Sequence, residues 1–387
     1  MRICLVSSSF YPATFYGGPI SATWDLSKKL SDRNIEVFIS TTNANGSVKL
    51  EVETNNFIKQ EKNLYVKYYH EQLINRFSVA FILGVWGDIK KSDLVYIQYL
   101  FHYTVVFSLL FSFLLKKKII LCGRGSMSSY GLNYKYKWIK KIWLNILIRP
   151  FLKIITWQAS SYLEENDIKR IFPNARVEII NDGVDYFSFQ ETTQIRRERI
   201  VQQFTKMDFF PVSHLFFSMG RLHKIKGFDI LIDAFHLFLK EDKDAKLIIA
   251  GGDDGVGEQL NNQIKKLNIE NSVFLIGQVN FEDKKLLLSN CDIFALSSEF
   301  ESFGIVVAEA LACGSPVVVS NKTPWQDLEI NNCGILANNE KHSFYNAFRR
   351  GLEIKFDRNR IKSYVKSNYD WEIIVENFLN KCCKIRI

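Results

Sequence analysis

The sequence predicts an α/β fold built from two doubly wound domains, and three observations carry that expectation. Short apolar runs alternate with helical stretches along most of the chain, which is how parallel sheets covered on both faces read. Two strand-to-helix junctions, Gly17-Gly18-Pro19 and Arg221–Gly227, hold glycines where a ligand can approach bare backbone. At 387 residues the chain is too long for one ordinary core.

Composition narrows the class. An apolar fraction of 47% with 24% charged residues belongs to a globular chain, not a disordered one. The seven cysteines are scattered, without a C-x-x-C, which argues against a zinc site or a disulfide framework and suits a reducing cytoplasm. The opening MRICLVSSSFYP reads as a strand and loop and lacks the long apolar core of a signal peptide. The net charge of +9 is concentrated: Leu94–Leu163 has ten Lys and Arg and no Asp or Glu. Nucleic acid and an anionic membrane surface both suit such a patch. The interleaved aromatic and aliphatic residues favour the membrane, so nucleic acid is not expected as a partner.

In order, Arg2–Ser7 reads as the first strand, followed by the glycine loop and a helix over Ser21–Leu30. Glu36–Ser40 and Tyr65–Tyr69 are strands, separated by a polar connection, Thr41–Asn63, whose pattern specifies nothing. Leu94–Leu115 is uncharged over 22 residues, the length of a membrane span. A strand over Asp93–Gln98 followed by a buried helix over Tyr103–Leu115 fits the βα alternation better. His102 falls at their junction, either as a hydrogen-bonded loop histidine or as a ligand contact. Strand Lys118–Cys122 leads into Gly123-Arg124-Gly125-Ser126, where Arg124 is suited to a bidentate grip on phosphate or carboxylate. In Lys135–Lys153, Trp138, Ile142 and Trp143 share a helical face beside Lys137, Lys140 and Lys141; packing on the sheet and membrane contact are both open. Ile154–Ala159 and Val177–Ile180 complete the first domain, which ends at 187, just past Asn181-Asp182-Gly183-Val184-Asp185.

Thr192–Met207 is a polar lead-in to the second domain, whose first strand is His214–Gly220. Arg221 and Lys226 then lie in a glycine-flanked loop before the helix Phe228–Lys240, a natural clamp for a diphosphate. Strands Lys246–Gly251, Val273–Gly277, Asp292–Leu296 and Pro316–Ser320 alternate with helices Gly257–Leu267, Glu282–Ser289 and Ile305–Ala312. That last helix is apolar except for Glu309. A carboxylate there is costly unless a Lys or Arg, or a ligand hydroxyl, meets it. Glu301 sits in the preceding loop, and Gly304 beside the helix start opens backbone N–H groups to an anion. Asp242-Lys243-Asp244 precedes a strand and reads as a solvated turn. No His/Asp/Glu cluster suggests a metal, so none is expected.

Two motifs now combine. ESFGIVVAEALACGSPVV carries the E-x7-E spacing of Glu301 and Glu309, and GRLHKIKGFDIL carries G-R-L-x-x-x-K-G-F. Together they resemble the retaining nucleotide-sugar glycosyltransferases of family 4, which have the GT-B fold. The resemblance implies two Rossmann-like domains facing a cleft, and sugar transfer from a nucleoside diphosphate to an acceptor with retention. It implies a catalytic set of Arg221 and Lys226 on the diphosphate and Glu301 beside the donor sugar. Glu309 is then placed on the ribose, and the N–H groups of Phe303, Gly304 and Ile305 face the donor. Gly17 and Gly18 face the donor phosphates from the first domain, and His102 and Arg124 lie on the acceptor side. An Arg is no general base at neutral pH, which a front-face mechanism tolerates because the leaving phosphate takes the proton. Ser302 departs from the family, which usually has Gly there. Tyr369–Cys382 resembles the family's terminal helix, so 366–387 is expected to complete the first domain and leave 188–365 as the second. The basic face suggests a lipid-linked acceptor, as in bacterial surface polysaccharide or lipopolysaccharide assembly, and peripheral association with the inner face of the cell membrane. A sugar-nucleotide epimerase or hydrolase of the same fold is the enzyme alternative. A non-catalytic membrane-binding protein with a degenerate donor site is the other.

Overall fold

Parallel strands need crossover connections, and here helices supply them in two separate units. The computed structural model describes residues 1–72, 77–190, 193–205 and 211–383. One unit comprises Met1–Gly183 with Trp371–Ile387, the other Val184–Asp370. The divisions fall a few residues from the expected 187 and 366. They coincide with a bridge between Val184 and Asp370 and a hydrogen bond of 2.8 Å from the Val184 N–H to the Tyr369 carbonyl, which close the second unit on itself.

In chain order the strands of the first unit are β1 (Arg2–Val6), β2 (Glu36–Thr42), β3 (Ala44–Asn45), β4 (Val48–Lys49), β5 (Phe57–Glu61), β6 (Leu64–Tyr69), β7 (Leu94–Gln98), β8 (Lys118–Cys122), β9 (Ile155–Ala159) and β10 (Arg176–Ile179). The main sheet runs β10-β9-β8-β7-β1-β2-β6-β5, parallel except for β5, which pairs antiparallel with β6. The connection that the sequence left unspecified thus becomes the small β3–β4 hairpin and the edge strand β5. Chain order reverses between β1 and β7, the place where doubly wound sheets bind ligands at their carboxyl ends. Every residue of β7 is buried, as its unbroken apolar run requires.

The uncharged stretch Leu94–Leu115 divides as expected into β7 and a helix over Tyr103–Leu114. Among the described residues no helix is long and apolar enough to cross a membrane. The basic segment folds as a helix over Lys137–Trp143 that continues through Leu144–Ile148 and Arg149–Phe151. Leu144 and Ile148 enter the core, while Trp138, Ile139, Ile142 and Ile146 are 57–73% exposed. The expected grouping of Trp143 with Trp138 does not hold. The Trp143 indole N–H donates to the Leu100 carbonyl at 3.1 Å, turning the ring onto the protein. Lys140 likewise turns inward, donating to the carbonyls of Gly131 and Tyr134 at 2.6 Å each.

The terminal helix Trp371–Phe378 packs on the helix Gly18–Asp32. Glu372 accepts from Lys29 at 3.2 Å and Arg33 at 2.7 Å, Phe378 meets Tyr96, and the indole of Trp371 lies directly over Gly183. Residues 384–387 of the expected terminal helix lie outside the described residues.

The second unit holds β11 (Leu215–Met219), β12 (Lys246–Ala250), β13 (Val273–Leu275), β14 (Ile293–Leu296), β15 (Val317–Ser320) and β16 (Gly334–Ala337). They form a parallel sheet in the order β13-β12-β11-β14-β15-β16, with its own reversal between β11 and β14. One face is covered by helices Phe228–Phe238 and Lys341–Glu353 through a cluster including Phe216, Phe235, Phe238 and Phe348. The other is covered by a cluster that takes in helix Ile305–Ala312 and residues of Arg358–Tyr369. Part of the expected lead-in forms a helix over Arg197–Thr205; Thr192, Lys206 and Met207 lie outside the described residues.

A Cβ on Gly183 would press into the rigid Trp371 ring. Gly183→Ala is therefore expected to destabilise the first unit by about 1–3 kcal/mol, as overpacking of a filled core does. Urea unfolding followed by tryptophan fluorescence checks this, and an unchanged midpoint would mean that the helix is not held there.

Candidate active site

Adjacent strands β11 and β14 run parallel, with Phe216 opposite Ile293, so the loops leaving their carboxyl ends meet at one edge of the sheet. Those loops are Gly220–Gly227 and Ser297–Gly304. They are clasped by backbone and hydroxyl: Glu299 N–H donates to the Ile225 carbonyl at 2.8 Å, and the Ser297 hydroxyl faces the carbonyls of Gly227 at 2.8 Å and Lys226 at 3.1 Å. Gly227 has a φ of 63°, and a Cβ there would run into the Ser297 carbonyl oxygen. Only glycine allows both the turn and the approach.

This clasp brings the two sequence motifs together. Lys226 Nζ bonds to Glu301 Oε1, and the Ser298 hydroxyl donates to the same oxygen at 2.8 Å. The Lys226 and Glu301 side chains are 17% and 12% exposed, buried enough for the pair to be held yet open to a ligand. Gly304, at a φ of 82°, turns the chain into helix Ile305–Ala312. The first N–H groups of such a helix have no intrahelical acceptor and point at the same edge. Phe303 contributes backbone only: its ring is buried against Trp325 and Tyr369, and its carbonyl accepts the Trp325 indole N–H at 2.7 Å.

The remaining expected residues lie on other partners. Arg221 pairs with Asp254, in the loop after β12, at 2.6 Å, and both side chains are well exposed. Glu309 does meet a cation, the alternative that its apolar helix left open. Lys284 Nζ lies 2.6 Å from Glu309 Oε1, and both side chains are largely buried. Neither Lys284 nor Asp254 stood out in the sequence. No local signal pointed to Lys284: its partner is set by the packing of helix Phe281–Asn290 beside helix Ile305–Ala312 on one face of the sheet.

In the first unit, Gly17, with a φ of 74°, is the residue before helix Gly18–Asp32, so Gly18 and Pro19 are its first turn and not loop as expected. His102 caps helix Tyr103–Leu114, its ring accepting from the Thr104 N–H. Arg124 departs from expectation. Its side chain is only 3% exposed and is bound to Asp182, with Nε donating to Gln98 at 2.9 Å and a terminal nitrogen to Thr23 at 3.3 Å. Burial disfavours its charge, but the Asp182 carboxylate outweighs that and holds its pKa above the usual value. A guanidinium so engaged cements this loop to the interdomain turn instead of presenting itself to a ligand. Among the described residues no group of three or more His, Cys, Asp or Glu is placed to hold a metal.

Fold and site together define the class to which this arrangement points. Residues 202–368 match the family model described as glycosyl transferases group 1, so the second unit carries that family's pattern. Among curated proteins, the chain is 30% identical over 220 residues to an uncharacterized glycosyltransferase of Methanocaldococcus jannaschii, covering 54% of each. It is 31% identical over 170 residues to the mannosylfructose-phosphate synthase of Agrobacterium fabrum, covering 42% of this chain and 36% of that one. The chain thus spans about half the length of the first relative and about a third of the second. The fold is similar to that of Anabaena Alr3699/HepE, solved in complex with UDP and glucose, at a TM-score of 0.76 and 20% identity over the whole of both chains. It is also similar to WaaG, a glycosyltransferase involved in lipopolysaccharide biosynthesis, at a TM-score of 0.64 and 15% identity over 98% of this chain and 95% of that one. The GT-B architecture of two Rossmann-like domains is therefore this chain's fold.

Gly227→Ala should separate the two loops and lower the melting temperature of the second unit, at a cost of about 1–3 kcal/mol. Thermal unfolding by circular dichroism tests this. An unchanged melting temperature would show that the clasp gives way freely.

Proposed function

We propose that the chain is a glycosyltransferase of family 4, transferring a sugar from a nucleoside diphosphate to an acceptor with retention. The observation that carries this reading is the Lys226–Glu301 pair, set where the chain order of the second sheet reverses and inside the stretch that matches the group 1 family model. Lys226 and Arg221 receive the diphosphate, and Glu301 stands beside the donor sugar. The bond from the anomeric carbon to the phosphate oxygen breaks as the acceptor oxygen bonds to that carbon, and the acceptor proton passes to the leaving phosphate. Preorganised cations stabilise the charge that builds on that phosphate. Glu309 receives the donor's ribose. No metal is needed in this reading, because the two cations neutralise the leaving group.

The first test is a thermal-shift screen of UDP, GDP and ADP and their sugars. A ligand at ~100 times its dissociation constant stabilises by roughly 2.7 kcal/mol. With the donor identified, Arg221→Ala and Lys226→Ala should each lower kcat/KM about 100-fold or more, and transfer should persist in EDTA. Near-normal turnover in either folded variant removes that cation from the mechanism, and loss in EDTA restored by Mg²⁺ overturns the metal-free scheme. Donor turnover that needs no acceptor would favour a hydrolase or epimerase.

The acceptor in this reading is lipid-linked, in the assembly of a bacterial surface polysaccharide or lipopolysaccharide, and the protein is cytoplasmic and bound peripherally to the inner face of the cell membrane. Support comes from the exposed row of Trp138, Ile139, Ile142 and Ile146, beside Lys137 and Lys141, in a segment without acidic residues. Leu83, in the helix Val79–Lys90, and Phe113 and Leu114, in the helix Tyr103–Leu114, are also well exposed in the same unit. Each basic residue near an anionic surface contributes about 1 kcal/mol. Binding to phosphatidylserine vesicles should weaken in high salt and again in Lys137→Glu/Lys141→Glu, and Trp138→Ser should weaken it even at low salt. A protein that ignores anionic vesicles at low salt would refute the membrane reading.

A further inference from the structure

Lys284 is absent from the motifs that identify the site, yet it pairs with Glu309, which belongs to one of them. Lys284 belongs to the first turn of helix Phe281–Asn290, and Glu309 to the neighbouring helix Ile305–Ala312. Their bond of 2.6 Å uses one carboxylate oxygen, Oε1. Among the described residues no donor to Oε2 is found. A lysine carries a flexible stem, and an exposed one would wander. This one is held: the rings of Phe189 and Phe281, 5.2 Å apart, lie 5.5 and 5.4 Å from its ammonium. Aromatic faces at that distance favour the cation and leave it little room to move.

We infer that Lys284 is a positioning residue for nucleoside recognition, fixing Glu309 so that Oε2 is aimed at a ribose hydroxyl. The inference rests on the reading that Glu309 receives the donor's ribose. Two physical consequences follow from the pair. A carboxylate anchored through one oxygen presents the other in a fixed direction, so little ordering remains to be done when the hydroxyl arrives. The pair is also neutral as a unit, so the carboxylate does not repel the nearby diphosphate. Without Lys284 the carboxylate would be free to rotate and would carry an uncompensated charge.

The experiment measures affinity by calorimetry for the nucleoside diphosphate chosen by the thermal-shift screen, in its ribo, 2′-deoxy and 3′-deoxy forms, and reads the ratio for whichever deoxy form binds more weakly to the wild type. A charge-assisted hydrogen bond to the hydroxyl makes the wild-type preference for ribose about tenfold or more. Glu309→Gln should bring that ratio close to one. Lys284→Met should lower it several-fold, while Lys284→Arg, which keeps a cation against the carboxylate, should retain most of it. The ratio separates positioning from charge, because loss of a positive charge alone weakens both forms equally. If Lys284→Met keeps the wild-type ratio while Glu309→Gln loses it, the positioning role is wrong and the ribose reading stands. If Glu309→Gln keeps the ratio, or no nucleoside diphosphate binds, the ribose reading falls and the inference with it. Should Lys284→Met not fold, Lys284→Ala gives the same readout, because it too removes the donor to Oε1.

Discussion

Two loops leave the carboxyl ends of β11 and β14, and the geometry of the second unit's site depends on their being held edge to edge. The sheet places them there, since only these strands are both adjacent and at the point where chain order reverses. Hydrogen bonds from Ser297 and Glu299 to the backbone of Ile225–Gly227 then fix the spacing. Once that spacing is set, Lys226 and Glu301 meet although 75 residues separate them. Removing either partner would leave a largely buried charge unmet, which is costly in a medium less polarisable than water. The clasp and the ion pair therefore support each other.

Three cations about the site have carboxylate partners: Lys226 with Glu301, Lys284 with Glu309, and Arg221 with Asp254. The pairs differ in burial, and this separates their roles. Arg221 and Asp254 are exposed and screened by water, so that pair is weakly held. The other two are enclosed and keep their geometry. On the proposed reading an incoming diphosphate would exchange partners with Arg221 while the enclosed carboxylates stay in place to receive the sugar and the ribose.

The first unit uses its charges differently. Arg124, Asp182, Gln98 and Thr23 form a buried network that joins the loop after β8 to the turn leading out of the unit. His102 ends as a helix cap. The side chains that looked most like ligand contacts in that half are thus engaged in holding its loops. The outward-facing charge and apolar surface lie elsewhere, on the helical segment that begins at Lys137.

By itself the sequence determined most of the parallel strands, their alternation with helices and the division into two units, and it singled out the motif residues of the second unit; β3, β4, β5 and β16 were not legible in it. The legible parts are set by local apolar runs and glycine positions, which act over a few residues. Helix Ile305–Ala312 was legible to the residue, because Gly304 opens it and an apolar run fills it. Tertiary structure alone decided which charges meet. Glu309 finds Lys284, 25 positions away, because helices Phe281–Asn290 and Ile305–Ala312 pack side by side. Arg124 is buried because Asp182 comes back to it from 58 positions on. Trp143 turns inward because a carbonyl at Leu100 is waiting for its N–H. A side chain's type shows that it needs a partner, but only the packed fold, which sets the distances between segments far apart in the chain, selects which one it gets.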